Sequence, residues 1–108
     1  MRSAARERLA YPPFGRLASL LVTGANKHAT ENFARRLAAS APATEEVRVL
    51  GPAEAPLAVV RGRHRFRLMV KSARNFDLPA YLREWLAQAP KRKGDIKLEV
   101  DVDPQSFL

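Results

Sequence analysis

Four arginines recur at every second position in Arg61-Gly62-Arg63-His64-Arg65-Phe66-Arg67, which runs directly into Leu68-Met69-Val70-Lys71. In extended backbone, residues two apart point to the same side. The spacing therefore predicts a positive stripe of Arg61, Arg63, Arg65 and Arg67, with Phe66, Leu68 and Val70 turned toward a core. Gly62 lets the chain turn, so the stripe sits at the tip of a hairpin. Planar guanidinium forks grip phosphate oxygens two at a time, which suits a nucleic-acid backbone. The same charges on a hairpin edge also serve as solvated groups that discourage sheet-to-sheet association. Both readings stay open on these residues alone.

A second basic cluster, Lys91-Arg92-Lys93, lies between Pro90 and Gly94 and reads as an exposed loop. It is either a second phosphate contact or a solvated run. Tyr81 and Trp85 are four apart on an expected helix; they can stack on bases, but aromatics at that spacing ordinarily fill a core. His28 and His64 are distant in sequence and lack the spacing of a metal centre. Asp101 and Asp103 could hold a hard cation, although Asp103-Pro104 reads better as the turn that ends a strand. No phosphate-binding glycine loop and no nucleophile in a recognisable setting is present, so catalytic residues are not assigned.

The elements that must position these groups follow from periodicity and caps. Leu17–Thr23 is apolar and β-prone. Asn26 is placed to cap a helix in which Ala29, Phe33, Leu37 and Ala41 recur every fourth residue, with Glu31, Arg35 and Arg36 outward. Val47–Leu50 starts a second strand, interrupted at Gly51-Pro52 and Pro56 and resumed at Leu57–Val60. Phe66–Ser72 is the third. Asp77-Leu78-Pro79 opens a helix with Leu78, Leu82, Trp85 and Ala89 on one face. Ile96, Leu98, Val100 and Val102 alternate with Lys97, Glu99 and Asp101, a half-buried strand. Strands are expected near 16–23, 47–60, 64–72 and 96–102, and helices near 27–41 and 78–89. The order βαββαβ predicts an α+β fold: a ferredoxin-like split βαβ sandwich with a four-stranded, mostly antiparallel sheet and two helices on one face.

The 108 residues suffice for one domain, and 46 % hydrophobic content argues against disorder. A formal charge of +8 favours a polyanionic partner, whether nucleic acid or an acidic protein tail. With no cysteine there are no disulfides or thiolate metal sites. No apolar run reaches the ~20 residues of a membrane span, and Met1–Arg8 does not look like a signal peptide, so a cytoplasmic location is expected. Residues 1–8 read as a linker or helix tail cut from something longer, and residues 9–108 as a single domain. Tyr11-Pro12-Pro13-Phe14-Gly15 reads as a rigid lead-in.

Three segments resemble the C-terminal domain of the PriA family of primosomal replication-restart helicases. They are Leu9-Ala10-Tyr11-Pro12-Pro13-Phe14-Gly15-Arg16-Leu17, Val49-Leu50-Gly51-Pro52-Ala53-Glu54-Ala55-Pro56-Leu57 with the arginine run that follows, and Val100-Asp101-Val102-Asp103-Pro104-Gln105-Ser106-Phe107-Leu108. Each is moderately specific alone; in this order, across nearly the whole chain, they are strong together. The family often carries tyrosine where His64 stands. The resemblance implies a fold like that of ribosomal protein S10 and a parent that is an ATP-dependent superfamily 2 DNA helicase. ATP and zinc would bind only upstream, so no cofactor is expected in this segment. It further implies DNA, single-stranded or forked and without sequence specificity, as a partner, together with the tail of single-stranded DNA-binding protein, the helicase lobes of the parent chain, and association with the nucleoid. The expected nucleic-acid-binding side chains are Arg61, Arg63, His64, Arg65, Arg67, Lys91, Arg92 and Lys93; those expected to dock protein are Lys71, Arg74 and Tyr81. The alternative is a purely protein-docking domain, taking an acidic tail or the helicase core, with no direct role on DNA.

Overall fold

The computed structural model describes residues 15–103. The expected linker over 1–8, most of the proline-rich lead-in and the segment from Pro104 onward lie outside them. The elements follow in the order β1 (Arg16–Gly24), α1 (Lys27–Ala39), β2 (Val47–Val60), β3 (Arg63–Ser72), α2 (Leu78–Ala87) and β4 (Lys97–Val102). The strands form one sheet in the order β2-β3-β1-β4, and every neighbouring pair is antiparallel. This is the ferredoxin-like α+β arrangement that the alternation of periods predicts.

Period-two burial divides the sheet into two faces. Ala18, Leu20 and Val22 of β1 and Phe66, Leu68 and Val70 of β3 are buried, and they cluster with Phe33, Leu37, Leu78, Leu82 and Trp85 from the helices. The odd-numbered residues of β1 and β3 lie on the other face, which carries neither helix. Both helices start at the expected caps. The Asn26 side chain accepts the Ala29 N–H at 2.8 Å, and Asp77 accepts that of Ala80 at 3.1 Å.

Two details depart from the periodic reading. Ala29 is exposed, and Thr30 is buried in its place. Its hydroxyl donates to the Asn26 carbonyl at 2.6 Å, so the polar group enters the core already paired. β2 fills the expected span 47–60 but runs on through Gly51-Pro52 and Pro56 without a break, because bulges absorb its prolines: register shifts occur between Leu50 and Ala53 and between Glu54 and Val59.

Candidate nucleic-acid interface

β3 carries the arginine run back from the hairpin tip, and its alternation puts Arg63, Arg65 and Arg67 on the open face. Arg61 precedes the strand, in the turn, with φ 54°. The stripe therefore holds three strand arginines and a fourth displaced to the tip. His64 points the other way, aligned with Gly24 and Val59 on the helix side.

The strand arginines have work inside the fold. Arg63 reaches across the end of β1: Nη1 donates to Asp95 Oδ2 at 2.7 Å, while Nη2 donates to the Asp95 carbonyl at 2.8 Å and to Thr23 Oγ1 and O at 3.0 and 3.1 Å. Asp95 Oδ2 also accepts the Ala25 N–H at 3.1 Å. One carboxylate and one guanidinium thus join the hairpin, the end of β1 and the loop leading to β4.

Arg65 stands opposite the larger bulge of β2, where residues 55–58 have no ladder partner. Its Nη1 donates to the carbonyls of Pro56 and Leu57 at 2.7 and 3.1 Å. The guanidinium replaces the missing ladder bonds and holds the bulge over the open face. Leu57 is left 77 % exposed there, at φ 57°. Beneath it is a depression of about 380 Å³, with Arg65 and Arg67 on one side, Glu99 and Asp101 on the other, and Ser19 and Leu21 between.

Lys91, Arg92 and Lys93 are exposed. The Ile96 N–H donates to the Lys93 carbonyl at 3.3 Å, and the next residue, Lys97, pairs with Thr23. The basic loop therefore stands at the same end of the sheet as the hairpin tip, tied to it through Asp95 and Arg63. Nothing in the sequence singles out Asp95, a lone acid beside a run of bases.

Of the three expected docking side chains, two are exposed and one is buried. Lys71 is exposed toward the opposite end of the open face, aligned with Leu17 and Arg48, and Arg74 is exposed in the loop after β3. Tyr81 is 7 % exposed, edge-on to Phe76 and Trp85 with both ring centroids at 5.9 Å, and its hydroxyl donates to the Pro42 carbonyl at 2.8 Å. Burial, with Glu84 nearby, raises its pKa above the ordinary 10.0. A ring so enclosed has little surface left for a partner.

Asp103 closes the fold beside that end. Its carboxylate accepts Arg16 Nη2 at 2.8 Å, Arg16 Nε at 3.3 Å and the Leu17 N–H at 3.2 Å. The Arg16 hydrogen bond holds its pKa below the usual 3.8 despite the opposing effect of burial, with the Leu17 N–H and the Arg16 charge adding to the lowering. Asp103 is thus engaged as the strand-ending residue. Among the described residues no three or more His, Asp or Glu side chains gather as a metal site. No helix among them is long and apolar enough to cross a membrane.

Residues 7–105 match the family described as the primosomal protein N C-terminal domain. The chain belongs to this family. Among curated proteins it is similar to the replication restart protein PriA of Rickettsia felis, at 33 % identity over 96 residues, 89 % of this chain. The probable replication restart protein PriA of Deinococcus radiodurans is 39 % identical over 106 residues, 94 % of this chain. The chain spans 14 % and 11 % of these relatives' lengths.

Proposed function

We propose that this domain is a non-catalytic module of a replication-restart helicase that grips DNA backbone at forks and helps dock single-stranded DNA-binding protein. The relatives' names supply the replication-restart setting. The observation that carries the DNA contact is the Arg63–Asp95 pair, which brings the hairpin tip and the 91–93 loop to one end of the sheet. The gripping side chains are then Arg61, Lys91, Arg92 and Lys93, all exposed. Arg63 and Arg65 support them from within the fold. Such contacts read phosphates and leave base identity unread, which suits a structure-specific binder. Lys71 and Arg74, away from that end, are the side chains proposed for the acidic tail of the single-stranded DNA-binding protein.

A protein-docking role without DNA is favoured by one observation: apolar Leu57 and Val59, 77 % and 53 % exposed, lie on the same hairpin as the arginines. Competition separates the two readings. A labelled forked oligonucleotide bound to the domain is challenged with unlabelled oligonucleotide and with an acidic peptide ending in phenylalanine. The DNA reading expects binding that weakens steeply with salt and is displaced by the oligonucleotide. Absence of DNA binding at low salt, with retained peptide binding, would leave the docking role alone.

A further inference from the structure

An acidic side chain in the middle of a basic, phosphate-gripping surface should weaken it. Asp95 lies between the hairpin tip and Lys91-Arg92-Lys93, and it is 53 % exposed at its side chain. Through its carboxylate and carbonyl it nevertheless accepts three hydrogen bonds, two from Arg63 and one from the Ala25 N–H, that connect three separate segments. Its Oδ2 takes two of them at once.

We infer that Asp95 is a positioning residue for DNA contact: it fixes the spacing between the two basic segments, and this outweighs the repulsion its charge adds. The inference rests on the DNA-gripping role proposed above. Without the carboxylate, Arg63 keeps the Thr23 hydroxyl and the carbonyls of Thr23 and residue 95 but loses its shortest bond, and the Ala25 N–H loses its acceptor. The loop carrying Lys91, Arg92 and Lys93 is then tied to the hairpin only through the Arg63 bond to the residue-95 carbonyl, and its spacing from Arg61 is less firmly fixed. Cations that must be ordered at the moment of binding contribute less to affinity than cations already in place.

The mechanism separates two substitutions that change charge equally. Asp95→Ala and Asp95→Asn each remove one negative charge. Long-range electrostatics predicts that both tighten DNA binding to the same extent. Asn keeps an oxygen that can accept from Arg63 Nη1 and from Ala25 N, whereas Ala keeps none. Binding of a forked oligonucleotide is measured by anisotropy for the parent domain, both variants and Glu45→Ala, which makes the same charge change at an exposed turn away from the site. Circular dichroism and thermal melting check that each variant is folded. Positioning predicts that Asp95→Ala binds at least about threefold more weakly than the parent, and that Asp95→Asn and Glu45→Ala match or exceed it. If the parent binds and Asp95→Ala binds as tightly as Asp95→Asn, the positioning role is wrong while DNA gripping stands. If the folded parent does not bind forked DNA, both are wrong.

Discussion

The indole N–H of Trp85 donates to the Leu37 carbonyl at 3.0 Å and to Ser40 Oγ at 3.1 Å, joining α2 to the C-terminal turn of α1. Trp85 is fully buried, so one side chain fills the space between the two helices and satisfies the end of one of them. Trp85→Ala should cost roughly 3–5 kcal/mol, as for other large buried aromatics. Urea unfolding measures it. Trp85→Phe should recover much of that cost but leave the Leu37 carbonyl with one partner fewer. A cost below about 1 kcal/mol for the alanine variant would put Trp85 outside the core.

The Arg16–Asp103 clasp should make stability depend on acid. Because the Asp103 carboxyl is held below 3.8, its contribution is fully present above that value and is lost as the pH falls through the lower folded-state value. Asp103→Asn should lower the urea midpoint near neutrality and flatten the acid limb of a stability profile taken between about pH 2 and 6. An acid limb of unchanged steepness would show that the clasp does not contribute.

Two glycines with positive φ should respond differently to alanine. Gly62, at φ 77°, has nothing within 4 Å of the place a Cβ would take, so Gly62→Ala carries only the left-handed backbone cost of about 1–2 kcal/mol. At Gly51, φ 97°, the new Cβ would lie 2.8 Å from the Arg67 carbonyl oxygen, which is backbone of the central strand β3. Gly51→Ala should therefore lose clearly more stability than Gly62→Ala in chemical denaturation. Equal losses would mean that β2 can retreat from β3 at no cost.

Much of the fold is legible in the sequence because its signals are local. Asn26 and Asp77 mark helix starts by hydrogen bonds within three residues, and the alternation of Ala18, Leu20 and Val22 marks a core-facing strand whatever its neighbours. Thr30 escapes such a reading because its burial depends on pairing its hydroxyl with Asn26, which a hydrophobic period does not register. The candidate site is legible only in outline. Spacing foretells a shared face for Arg63, Arg65 and Arg67, but the two-residue turn of Arg61 and Gly62, both at positive φ, takes Arg61 off it. The partners of Arg63 and Arg65 arise from strand order and from the β2 bulge, both products of long-range pairing. For the same reason Asp95, thirty-two residues from Arg63, gives no signal of its role.

That division of labour revises where DNA affinity should reside. Alanine at Arg63 and Arg65 removes internal ties as well as charge, so weaker binding there would be ambiguous. The direct measurement uses two double variants, Arg61→Ala with Arg92→Ala and Arg36→Ala with Arg83→Ala. Both lower the formal charge of +8 by two, and all four side chains are exposed. Affinity for a forked oligonucleotide is followed by anisotropy across a salt series. The Arg61/Arg92 variant should weaken binding of all sequences alike and flatten the salt slope by about 0.7–0.9 for each phosphate no longer neutralised. The Arg36/Arg83 variant should keep the parent slope. Equal slopes in the two variants would contradict a DNA-gripping surface at this end of the sheet.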